Sequence, residues 1–284
     1  MRNQRNNSSA AFVAVEFIAI VAVLVLLAGI ILPAMGRFKS ASLSARCVNN
    51  HKQVVHAWLL YAHDYSGKCA NNFTIPDTQN TMINGTLQSW ANNIMTWEAG
   101  GAISDRSVTN EAWARGIMHP YTSGDIEIYR CPADRYLSPV QRARGYEKRL
   151  RTIAMNCLIG RLDTSPTSAS GRSWAFGGAY RQWLSVRSIP NPATTFLTLD
   201  EHPDSVNDGL FINDPAASLW GDIPGALHDN ATTFSFTDGH AELRRWRGTS
   251  TRIPVRFMYT TPRPFDANGR KDFTWYRERM GLVR

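Results

Sequence analysis

What the 284-residue chain lacks excludes several chemistries. It has no C-x-x-C pair, so a zinc ribbon is not expected. It has no H-E-x-x-H, and its acidic residues nowhere follow EF-hand spacing. G-x-S-x-G is also missing, and the serines sit in loop-like text without a nucleophile elbow, which leaves no signal for a Ser-His-Asp hydrolase. There is no low-complexity tail. Charge is sparse at 19% of residues, and the 19 residues from Phe17 to Met35 carry none. As a helix that run measures about 28 Å, near the ~30 Å of a bilayer's hydrocarbon core, so the sequence predicts a membrane span.

Glu16 stands at the edge of this run. A carboxylate deep in lipid costs roughly 2.5–3.5 kcal/mol, so a cationic partner is expected for it. Arg2 and Arg5 precede the run while Arg37 and Lys39 follow it, and these flanks do not fix an orientation. Three readings stay open: a processed leader, a plain signal anchor, or a secretory signal peptide removed after Gly36. Against the third, the apolar run exceeds the ~7–15 residues of a signal-peptide core.

The text beyond the run is that of an exported globular body, 43% hydrophobic over the whole chain and long enough for one sizeable core or two small ones. Four cysteines, Cys47, Cys69, Cys131 and Cys157, lie past the apolar segment, an even number compatible with disulfides in three alternative pairings. The formal charge of +8 becomes +6 when Arg2 and Arg5 leave with a leader. Arg244, Arg245, Arg247, Arg252 and Arg256 hold part of that excess. A nucleic-acid surface is one reading of them and a solvated strand face the more ordinary one, so no nucleic acid is expected. The nine tryptophans admit a sugar-stacking platform, although scattered tryptophan is more often core.

Leu43, Cys47, Val54, Trp58, Tyr61 and Tyr65 recur at spacings of 4, 7, 4, 3 and 4, one stripe of a 3.6-period helix that ends before Gly67. The sequence therefore predicts one helix of about 50 residues, or an anchor and a separate amphipathic helix broken at Gly36. Residues 68–125 read as long loops with short helices near Trp90 and Trp113. Strands are expected at Thr152 to Met155, Thr194 to Leu199 and Ala231 to Arg245. The last reads as a hairpin with a two-residue Asp238-Gly239 turn that sets Phe236 against Ala241 and Phe234 against Leu243.

Two resemblances organise these observations. The basic leader, Phe12, Glu16 four residues on, the apolar helix and Pro33 resemble the amino terminus of type IV prepilins and type II secretion pseudopilins. The resemblance implies cleavage by a prepilin peptidase between Ala11 and Phe12, methylation of the new terminus, and Glu16 as the carboxylate that pairs with a neighbouring subunit. His228, nine residues and then Asp238-Gly239 further resemble the H-X9-DG subgroup of prepilin-type cleavage and methylation proteins. "YRCPAD", "TIAMN", "FTDGHAELRRW" and "KDFTWYRERM" are similar to that subgroup's other segments. The simplest pairing the subgroup implies is Cys47 with Cys131 and Cys69 with Cys157.

The resemblance thus implies an α+β fold with a long membrane-spanning helix, the pilin spine, packed on an antiparallel sheet. Its parts would be a leader over 1–11, a transmembrane half over 12–36, a periplasmic half over 37–66 and a periplasmic globular domain over 67–284. The chain would sit in the bacterial inner membrane as a single-pass protein with a cytoplasmic amino terminus. It would serve as a non-enzymatic pseudopilin or minor-pilin subunit, partnering other pilin-like subunits through the helix in a secretion or attachment system. A membrane-anchored module that binds sugar or nucleic acid without polymerising is the alternative. The acidic segment offers Asp200, Asp204 and Asp208, with Asp238, as oxygen ligands suited to calcium, while turn capping accounts equally for the same residues.

Overall fold

The computed structural model describes residues 7–86, 88–97, 116–165, 168–258 and 263–283. The chain divides into two compact units, Met1–Leu43 and Ser44–Arg284. Helix α1, Asn7–Asp64, is the expected long helix and runs to 58 residues.

In the first unit every described side chain from Glu16 to Ile30 is exposed. Among the described residues no helix is long and apolar enough to cross a membrane. The expected transmembrane half over 12–36 is overturned, and with it the pilin-spine fold in its membrane-spanning form and the single-pass inner-membrane placement. The leader over 1–11 and the junction at Ala11 and Phe12 lie outside the described side chains.

The second unit begins within α1, and three members of the stripe read from sequence, Cys47, Val54 and Trp58, are buried there, whereas Leu43 and Tyr61 are half-buried and Tyr65 is exposed beyond the helix end. Cys47, His51, Val54, Val55, Trp58 and Ala62 are buried along one face. The helix stops as expected: Ser66 and Gly67 take positive φ, and the Gly67 amide donates to the Ala62 carbonyl at 2.6 Å, closing the last turn. Short helices α2 (Ile75–Ile83) and α3 (Pro139–Ala143) follow. Trp90 lies in a bend and not in a helix, and Trp113 lies outside the described residues.

Five strands form one sheet: β1 Ile153–Asn156, β2 Phe196–Asp200, β3 Leu210–Phe211, β4 Ala231–Phe236 and β5 Ala241–Arg245, in the order β3-β1-β2-β4-β5. The sheet is mixed. β1 runs parallel to β3, Met155 facing Leu210, which corrects the expected antiparallel sheet. β3 has two residues, too few to show an alternation in sequence. The amphipathic part of α1 covers one face, where His51 reaches Thr198 of β2 at 2.9 Å. Helix α4, Ala267–Arg277, covers the other, with Tyr276 on Phe196 and Trp275 on Phe234 at ring separations of 5.5 and 5.1 Å. With helices on both sides, the inner strands β1, β2 and β4 are buried at every position.

The hairpin keeps its strands but shifts register. Ala241 faces Ser235, Glu242 faces Phe234 and Leu243 faces Thr233. Its loop holds three residues, since the Gly239 amide donates to the Phe236 carbonyl at 3.0 Å while the Phe236 amide donates to His240. Gly239, at φ +103°, supplies the positive φ that such a loop needs. The one-residue slip turns Leu243 to solvent, where it is 41% exposed, and leaves β5 as a polar edge.

Candidate metal centre

Four side chains singled out for unrelated reasons in the sequence converge in the second unit: Cys47, Cys131, Asp200 and His228. One ligand atom from each lies within 4.8 Å of all the others, and all four residues are buried. Each comes from a different element. Cys47 lies on the covered face of α1, Cys131 follows the 3-10 turn Glu127–Tyr129, Asp200 ends β2, and His228 opens the turn into β4. The turn positions His228 through its own backbone, which pairs with Ala231 in both directions at 3.0 and 3.2 Å, while Asp229 and Asn230 take positive φ.

Hydrogen bonds aim the four groups at one another. The Cys47 thiol donates to Asp200 Oδ2 at 3.0 Å, and Cys131 Sγ contacts His228 Nε2 at 3.0 Å. The surroundings hold them in place. Thr152 donates to Asp200 Oδ1 at 3.0 Å and accepts from the Cys131 amide at 2.7 Å, so one hydroxyl fixes two of the four. Ser44 holds His228 Nδ1 at 3.2 Å, leaving Nε2 directed into the cluster. His51 sits beside the site with Nε2 3.4 Å from Asp200 Oδ1 and Nδ1 tied to Thr198, whose hydroxyl meets Ser235 at 2.6 Å.

The electrostatics sort the four by charge. Burial pushes the Asp200 carboxyl up, but the His51 and His228 imidazoles and the Cys47 thiol outweigh it and hold the acid down at about 2. Burial, then the Cys131 and Asp200 neighbours, drive the Cys47 thiol well up. Burial acts on Cys131 too, yet the hydrogen bonds from Cys47 and His228 win and its thiol is lowered. His228 responds in kind: burial lowers it, while Cys131, Asp200 and Asp229 together raise it. The cluster therefore sets an acid and a thiol shifted toward their charged forms beside an imidazole and a second thiol that burial holds protonated.

These residues can hold a metal ion. Two sulfurs, one imidazole nitrogen and one carboxylate oxygen are zinc-type donors, and ~2.0–2.3 Å bonds place tetrahedral ligand atoms roughly 3.3–3.8 Å apart. Two of the observed separations are 3.0 Å and none exceeds 4.8 Å.

The other expected site residues lie elsewhere. Asp204 accepts from the amides of Arg256 and Phe257 at 2.6 and 3.0 Å. Asp208 accepts from the Leu210 amide at 2.9 Å, and burial pushes its carboxyl up to about 6. Asp238 accepts from His240 in the hairpin loop, beside Gly239. Of the four expected calcium ligands only Asp200 joins the cluster, and the other three cap backbone. The four cysteines are free thiols. The expected Cys47–Cys131 partners are neighbours within the cluster, whereas Cys69 and Cys157 pack into the apolar core. Sequence reasoning missed His51, a buried histidine one turn beyond Cys47 on the same face of α1. That i, i+4 spacing was the available signal.

No family model matches this chain, and neither a curated protein nor a solved structure does.

Proposed function

We propose that this chain is a non-catalytic structural protein whose second unit is locked by a zinc ion held by Cys47, Cys131, Asp200 and His228. The observation that carries the proposal is the convergence of these four buried ligand atoms from four separate elements. An ion there would bind α1, β2 and the turns before β1 and β4 into one body, and four protein ligands leave no open position for substrate or water. Zinc is preferred to calcium because a hard cation seeks six to eight oxygens, whereas two of these donors are sulfur.

In a thermal unfolding experiment on the chelator-stripped full chain, zinc in large excess over its Kd raises Tm by about 10 °C, and calcium at the same concentration does not. Equal responses to the two ions would contradict the proposal.

A second, compatible reading is favoured by one observation in the first unit: the exposed apolar side chains of Phe17, Ile18, Ile20, Leu24, Leu26 and Ile30 occur on all sides of the helix. Helix-to-helix packing with further copies of the chain would cover them, making it a subunit of a larger assembly. Sedimentation of the full chain as an oligomer supports this reading, and a monomer at micromolar concentration ends it.

A further inference from the structure

The β5 edge of the sheet carries a second feature, independent of the candidate metal centre. Beside β5 an open hollow of about 640 Å³ lies against α4, lined by Arg244, Arg270, Lys271, Thr274, Trp275 and Glu278. It adjoins another of about 540 Å³ that shares Arg244, Lys271 and Trp275 and adds Glu242, Arg245 and Arg247. Five cationic side chains thus line one continuous groove along the edge strand β5. Of its three carboxylates, Asp272 is buried and occupied by the amides of Arg247 and Gly248 at 3.0 and 2.7 Å, which leaves Glu242 and Glu278 exposed.

The cations are held and incompletely satisfied. Trp275 is clamped edge-on by Phe234 and Trp246, and its ring carries the guanidinium of Arg244 at 4.6 Å and that of Arg279 at 4.0 Å. Arg244 is half-buried, and its Nε is shielded from solvent without a hydrogen-bond partner. Burial and the neighbouring guanidiniums of Arg279 and Arg247 act against its charge, opposed by Asp272 and Glu242. A guanidinium held by stacking on Trp275 is pre-organised for a planar anion, because little side-chain freedom is lost when the contact forms.

Edge protection explains why β5 is charged, since arginines on a free strand oppose pairing with another sheet. It does not explain a groove with a stacked tryptophan floor and an unsatisfied guanidinium. We propose that this groove binds an acidic polysaccharide of the uronate type, its carboxylates on Arg244 and Lys271 and its hydroxyls on Glu242, Glu278 and Thr274. The two exposed glutamates choose between polyanions: they accept from sugar hydroxyls, which a uronate chain offers at each residue and a DNA phosphodiester backbone does not. Guanidiniums also occupy the Trp275 ring, so it does not present a free platform for a base.

The test is calorimetric titration of the full chain with oligogalacturonate, its methyl-esterified form and a single-stranded DNA oligomer. Saturable binding of the free acid is expected, weakened about tenfold by Arg244→Gln and by Lys271→Glu, as befits loss of one charge-assisted contact. Lys271 is exposed, so its variant keeps the fold and leaves the result readable if Arg244→Gln does not. No saturable binding, equal binding of the esterified oligomer, indifference to both substitutions, or tighter binding of DNA would each overturn the proposal.

Discussion

The cysteines fall into two buried pairs with opposite surroundings. Cys69 and Cys157 pack into the core with Trp183, Leu158 and Ile159 in the same cluster, and burial pushes both thiols up, that of Cys69 to about 12. Cys47 and Cys131 are as deeply buried, yet they meet an aspartate and a histidine, and Cys131 is lowered. Burial alone therefore does not set what a thiol can do here. The first pair are small apolar fillers, and the second can act as ligands because fixed partners are aimed at them.

The largest effect expected from this contrast comes from exchanging one cysteine of each pair. Cys131→Ala removes a ligand and leaves Asp200 and His228 facing an incomplete site, so zinc-dependent stability falls by roughly 4 kcal/mol. Cys157→Ala deletes a sulfur from the core, costs about 1 kcal/mol and leaves metal content unchanged. Urea unfolding with metal analysis separates the two, and similar losses with similar zinc content would break the contrast.

Asp200 and Asp208 extend the comparison to carboxylates. Imidazoles hold Asp200 down to about 2, whereas burial lifts Asp208 to about 6. A raised acid stabilises the fold fully below its unfolded value near ~4 and loses that contribution as pH rises through the folded value. At pH 7 the ionised Asp208 side chain therefore weakens the fold by about 2–3 kcal/mol relative to pH 4. Asp208→Asn should unfold at higher urea than the parent at pH 7, by about 2 kcal/mol, with the difference vanishing near pH 4. A constant difference across that window would place the effect in packing instead.

Much of the fold was legible because its signals are local. Cys47, Val54 and Trp58 of the expected stripe marked the buried face of α1 and Gly67 its end, and the β-branched and aromatic run from Ala231 to Phe236 marked β4. The hairpin register was not, because Asp238-Gly239 fits both a two-residue turn and the three-residue loop, and one residue of difference moves Leu243 from the inner face to solvent. The parallel β1–β3 pair was out of reach, since Leu210-Phe211 is too short to carry a pattern. For the metal centre, each ligand was noticed and the set was not. Cys47 and Asp200 are 153 residues apart and Cys131 and His228 are 97 apart, and such closures depend on the sheet, not on spacing. The acidic segment misled for a related reason. Asp204, Asp208 and Asp238 sit where turns need caps, and the closeness of the first two to Asp200 in sequence made the acidic segment look like one site.

The most direct test of the zinc centre is X-ray absorption at the zinc edge of the full chain after zinc loading. The predicted first shell is two sulfurs at ~2.3 Å and two lighter N/O atoms at ~2.0–2.1 Å, with the sulfur count halved in Cys47→Ser. A shell of light atoms alone, or one unchanged by that substitution, would contradict the assignment.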